Sequence, residues 1–136
     1  MPFVLDASTT LAWLFEDETS EYAERVLDRL QDDTALVPGV WPLEVANSLI
    51  FAERKGRITS AGLTRSAEVT RNLPVLIMDM SATLAFGAVV EVARSQELTA
   101  YDAAYLELAM REGVPIATQD KPLLAAAERV GVAHLE

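Results

Sequence analysis

Phe3-Val4-Leu5-Asp6-Ala7-Ser8, close to the N-terminus, sets the architecture. Three consecutive apolar residues are too few for a helix and show no alternation. They read as a buried parallel strand that ends on an acid. Ser8 is placed to cap the helix that follows, whose apolar stripe is Leu11, Ala12 and Phe15. Glu16 to Ser20 is a polar break, after which Tyr22, Val26, Leu27 and Leu30 recur at helical spacing. Thr34 to Val37 reads as a second strand, stopped by Pro38-Gly39.

The same alternation continues to the C-terminus. Pro42 suits the first turn of a third helix, with Val45, Leu49 and Ala52 on its buried side and Lys55-Gly56 at its end. Thr59 to Arg71 is a further helix, and Val75-Leu76-Ile77 a third strand. Met80 to Arg94 is an alanine-rich helix with Leu84, Ala88 and Val92 in register. Thr99 to Arg111 follows, closed by Gly113, then a strand at Pro115 to Ala117 and a last helix from Pro122 to Arg129. Val132-Ala133-His134 has room for a short edge strand. Strands alternating with helices predict an α/β domain, a three-layer α/β/α sandwich with a mainly parallel sheet of four to five strands. With no linker or repeat, residues 1–136 are expected to form one domain.

Composition excludes several classes of function. There is no cysteine and a single histidine, His134, so neither a thiolate zinc site nor a thiol nucleophile is available. The start lacks a basic n-region and no apolar run approaches the roughly 18 residues of a membrane span, so a cytoplasmic protein without membrane partners is expected. The net charge of −10 argues against a phosphate-rich ligand until its distribution is considered. Residues 1–33 carry a net −7, whereas residues 51–71 carry a net +3. Arg54, Lys55 and Arg57 of that basic stretch are candidate contacts to a nucleic-acid backbone.

Four acids then stand out: Asp6, Glu44, Asp102 and Asp120. Each has a structural role open to it. Asp6 can cap the first helix, Glu44 complements a helix dipole, Thr99 and Asp102 form an [ST]-x-x-[DE] pair, and Asp120 can cap the last helix. Taken jointly, they fall after strands or at helix starts that converge on the carboxyl edge of a parallel sheet, where ligands bind. Carboxylates gathered there repel unless a cation lies among them. An all-oxygen donor set fits Mg²⁺ or Mn²⁺. Ser8, Asn47 and Thr118 stand near the acids in sequence and are candidate supporting donors; helix capping for Ser8 and a buried helix–helix hydrogen bond for Asn47 are equally open. Trp13 and Trp41 read as core or interface residues, and His134 as structural.

The phrases Asp6-Ala7-Ser8, Glu44-Val45-Ala46-Asn47, Leu98-Thr99-Ala100-Tyr101-Asp102-Ala103-Ala104-Tyr105 and Ala117-Thr118-Gln119-Asp120-Lys121-Pro122-Leu123 resemble, in this order, those of PIN-domain nucleases of the VapC toxin type. The resemblance covers nearly the whole chain. It implies that the family's acidic quartet falls on Asp6, Glu44, Asp102 and Asp120, supported by Ser8, Asn47 and Thr118. It also implies Mg²⁺- or Mn²⁺-dependent endonucleolytic cleavage of RNA, homodimerisation and a cognate VapB-like antitoxin. Asp6, Glu44 and Asp102 are the expected principal anchors of the metal, with Asp120 nearer a second ion or acting through water. Two rival readings are a receiver-like domain phosphorylated on aspartate, with Asp79 after the third strand, and a non-catalytic interaction module of the same fold.

Overall fold

The computed structural model describes residues 1–136. The chain alternates as read: β1 (Phe3–Leu5), α1 (Ala7–Leu14), a 3₁₀ turn (Glu16–Glu18), α2 (Glu21–Arg29), β2 (Ala35–Pro38), α3 (Trp41–Arg54) and α4 (Ser60–Arg71). There follow β3 (Val75–Met78), α5 (Ala82–Leu84), a π-helical segment (Ala85–Val89), α6 (Val90–Gln96), α7 (Ala100–Glu112), β4 (Ile116–Ala117) and α8 (Lys121–Arg129). All strand pairs are parallel, in the order β3-β2-β1-β4. Every residue of β1, β2 and β4 is buried, as continuous apolar runs require when both faces of a sheet are covered. Helices α1, α2, α3 and α4 pack on one another, and α7 lies against the strands with α6 and α8 beside it. The result is the three-layer α/β/α arrangement, with the core at the sheet's two faces.

The strand order matters for function. From β1 the chain steps outward to β2 and β3, then returns past them to lay β4 on the other side of β1. The β1–β4 boundary is therefore the topological switch point, where a crevice opens outside the strands' carboxyl ends. Val4 pairs with Ile116 and Leu5 with Ala117. The Asp6 amide donates to the Ala117 carbonyl at 3.0 Å, so Asp6 and Thr118 leave the sheet side by side.

Three expectations need correction. There is no fifth strand: Val132 to His134 contributes a single bridge, Ile116 to His134. Ser8 does not cap α1; it lies inside the helix, which starts at Ala7, while Asp6 holds the cap position with no side-chain cap bond. In the alanine-rich helix, the π segment inserts an extra residue into the turn and shifts the face that follows. Val89 is consequently the buried residue, packed on Ala103 and Ala104 of α7, and Ala88 is exposed.

Candidate metal centre

Each of the four acids is delivered by a different local rule. Asp6 follows β1 directly, and only 4% of its surface is exposed. Its Oδ2 accepts hydrogen bonds from Ser8 Oγ and Thr118 Oγ1, both at 2.7 Å. That leaves Oδ1 without a hydrogen bond from a neighbouring side chain. Glu44 lies in the first turn of α3, which begins Trp41-Pro42, where proline's missing N–H costs nothing. Its Oε1 accepts the Tyr105 hydroxyl at 2.5 Å. Asp102 lies in the first turn of α7, capped by Thr99, whose hydroxyl accepts from the Asp102 amide at 3.1 Å. The Asp102 carboxylate is thereby left free. Asp120 caps α8, accepting from the Leu123 amide at 3.1 Å, and its own amide donates to Thr118 Oγ1 at 3.0 Å.

Burial and mutual charge act together on these carboxylates. Asp102 is pushed up to about 6, first by burial and then by Asp6, Asp120 and Glu44, in that order. Burial raises Asp6, the hydroxyls of Ser8 and Thr118 oppose the rise, and Asp120 adds to it. Glu44 is also raised by burial, opposed by the Tyr105 hydrogen bond and assisted by Asp6. The phenol of Tyr105 is shifted upward by burial and by its bond to Glu44, so it remains a donor across the physiological range. No three of the acids converge closely enough to grip one bare ion together. A hard cation that keeps most of its water shell needs only one or two direct carboxylate ligands. The donor set, all carboxylate oxygen with hydroxyl support, fits Mg²⁺ or Mn²⁺ on those grounds.

Among the supporting residues, Ser8 and Thr118 both hold Asp6. Thr118 does more, since its hydroxyl also receives the Asp120 amide and its carbonyl lies 3.0 Å from His134 Nε2. His134 stacks on Tyr22 with ring centroids 4.8 Å apart, a structural role. Asn47 is exposed, not buried between helices, and the hydrogen bond to Glu44 comes from Tyr105 instead. Tyr105 is the residue that sequence reasoning missed. Its signal was present: it follows Asp102 by three on α7, the spacing that puts two side chains on one helical face.

The basic candidates fare unequally. Arg57 is committed to Asp17 at 2.7 Å and Glu18 at 2.6 Å, and its guanidinium lies 4.2 Å from the Phe15 ring centroid. It is not a free phosphate contact. Arg54 lies over Phe51 at 6.0 Å, and Lys55 is exposed. Trp13 and Trp41 are held by hydrogen bonds to the Ala23 carbonyl and to Thr10. Asp79 follows β3, an edge strand separated from β1 by β2, rather than a central strand as a receiver-like phosphoacceptor requires.

A parallel α/β fold that brings four acids to its switch point narrows the class of protein, and comparison with known proteins names it. The PIN domain family matches residues 3–129, and the chain belongs to it. No significant match is found among curated proteins. Among solved structures the chain is similar to PAE2754 from Pyrobaculum aerophilum, at 24% identity and a TM-score of 0.70, covering 93% of this chain and 79% of that one. It is similar to VapBC2 from Rickettsia felis, at 14% identity and a TM-score of 0.68, covering 100% of this chain and 98% of the other. It is also similar to VapC20 from Mycobacterium tuberculosis, a toxin that cleaves the sarcin-ricin loop, at 16% identity and a TM-score of 0.65, covering 91% and 94%. At these identities the likeness is one of fold.

Proposed function

We propose that the chain is a metal-dependent endoribonuclease, a single domain over residues 1–136, acting in the cytoplasm as the toxin of a VapBC-type pair. The observation that carries this reading is that Asp6 and the Thr118–Asp120 segment leave the paired strands β1 and β4 side by side, while Glu44 and Asp102 open α3 and α7, in a chain of the PIN family. The Asp102 carboxyl is raised, after burial, by the charges of the other three acids. A fold needs no such gathering of like charge for stability, and clusters of this kind mark functional sites. Membership of the PIN family and the VapC20 toxin's action on an RNA loop support RNA as the substrate. The VapBC2 structure supports a separate antitoxin as partner; a homodimer is the proposed assembly.

Asp6, Glu44 and Asp102 would hold the metal, with Asp120 nearer a second ion or acting through water. When bound, Mg²⁺ or Mn²⁺ supplies a water of lowered pKa and charge compensation at the phosphate. The chain's own residues prepare the site. Ser8 and Thr118 fix one oxygen of Asp6, so its other oxygen is presented without rotamer search. Tyr105 fixes one oxygen of Glu44 in the same way. Three helix starts, those of α3, α7 and α8, meet the crevice at the strand ends and favour an anionic backbone there. RNA ends mapped after brief expression test the reading. New ends are expected with the wild type and absent with Asp6→Asn; identical ends from both proteins contradict it.

A further inference from the structure

We propose that Tyr101 is a stacking platform for one unpaired nucleobase of the RNA, beside the scissile phosphate; the inference rests on the nuclease reading above. Tyr101 precedes Asp102 on α7 and is 61% exposed. Leu43 precedes Glu44 on α3 and is 72% exposed. Each of these open apolar groups is adjacent in sequence to a carboxylate of the site. With Ile50 and Asn47 they line one cleft of about 490 Å³, and Glu44 lines it too. That volume lies within the roughly 300–1,000 Å³ of ordinary ligand clefts.

The contents of the cleft favour a base over an apolar protein segment. Tyr101 takes part in none of the ring stacks or cation–ring contacts of the molecule, and most of its surface is open to solvent. Leu43 and Ile50 give the apolar wall. Asn47 carries an exposed amide, a donor and an acceptor suited to a base edge. A wholly apolar occupant would strip water from Glu44 without replacing its hydrogen bonds, which is costly; a nucleobase brings both a π-face and polar edges. Bases within a duplex already stack on their neighbours, so the platform selects single-stranded or loop RNA. The two tryptophans, committed elsewhere, cannot take this role.

The test uses the full chain, Mg²⁺ and a single-stranded oligoribonucleotide spanning the mapped cleavage position. Versions made abasic at the nucleotide on either side of the cut are compared with the intact one. Tyr101→Ala is expected to raise KM about 10- to 100-fold on the intact RNA, with kcat changed little. Tyr101→Phe, which keeps the ring, restores the wild-type KM. On one of the two abasic RNAs, wild type and Tyr101→Ala become indistinguishable. An equal loss on every substrate, or no loss on any, overturns the proposal while leaving the nuclease reading intact. So does unchanged cleavage accompanied by loss of self-association, which assigns the cleft to a second copy of the chain. Absence of Mg²⁺-dependent cleavage by the wild type overturns both.

Discussion

Neutralising Asp102 should stabilise the metal-free protein. Its carboxyl is raised to about 6 from an ordinary value of about 3.9, roughly two pKa units, and each unit corresponds to about 1.4 kcal/mol. Solvent screening at this half-buried position reduces the effect to about 1–2 kcal/mol. For a chain of this size that is a Tm increase of about 3–6 °C for Asp102→Asn at pH 7.5 in EDTA. The sign follows from linkage. A group whose folded pKa is raised stabilises fully below the unfolded pKa, and that stability is lost as pH rises through the folded value. The variant's advantage is therefore absent near pH 3, grows between about pH 4 and pH 6, and is flat above. Melting followed by circular dichroism across this range reads it directly. Adding Mg²⁺ at pH 7.5 should reverse the order, because the wild type alone gains fully from binding. Equal melting temperatures at pH 7.5, or an advantage that does not change with pH, would refute the charge-cluster argument.

Other outcomes follow from the same contacts. Thr118→Val removes the hydroxyl shared by Asp6 and the Asp120 amide, and should cost about 1–3 kcal/mol in denaturant unfolding; Ser8→Ala, at a less buried bond, should cost less. Tyr105→Phe should lower RNA cleavage about 10- to 100-fold. It should also move the acidic limb of the pH–rate profile upward, because Glu44 loses the hydrogen bond that holds its pKa down. Arg57→Gln should leave cleavage unchanged, since its guanidinium is already paired with Asp17 and Glu18; a large drop in cleavage would restore Arg57 as a substrate contact.

The short apolar runs ending at Asp6 and Ala117 were legible because a strand buried on both faces has little freedom in composition. The four acids were legible for a related reason: each sits at a strand end or a helix start, where topology, not local propensity, decides its neighbours. The fine structure was less so. The π segment at Ala85–Val89 leaves no mark in an alanine-rich stretch, where small residues fit either register, and so Ala88 and Val89 exchanged roles. Ser8 was ambiguous between capping and supporting Asp6, because both use the same hydroxyl and only the helix start separates them. Asn47 shares its helix with Glu44, but which residue bonds that carboxylate depends on how α7 crosses α3. Tyr105 supplies that bond from a position 61 residues away in sequence.

Binding of Mn²⁺ to the purified protein tests the central claim most directly, because it asks whether the four carboxylates form one centre without reference to any substrate. Titration followed by calorimetry or by the loss of the free-ion paramagnetic signal should show stoichiometric binding to the wild type. It should weaken strongly in Asp6→Asn, Glu44→Gln and Asp102→Asn, and less in Asp120→Asn. Binding that survives all four substitutions unchanged would contradict the account.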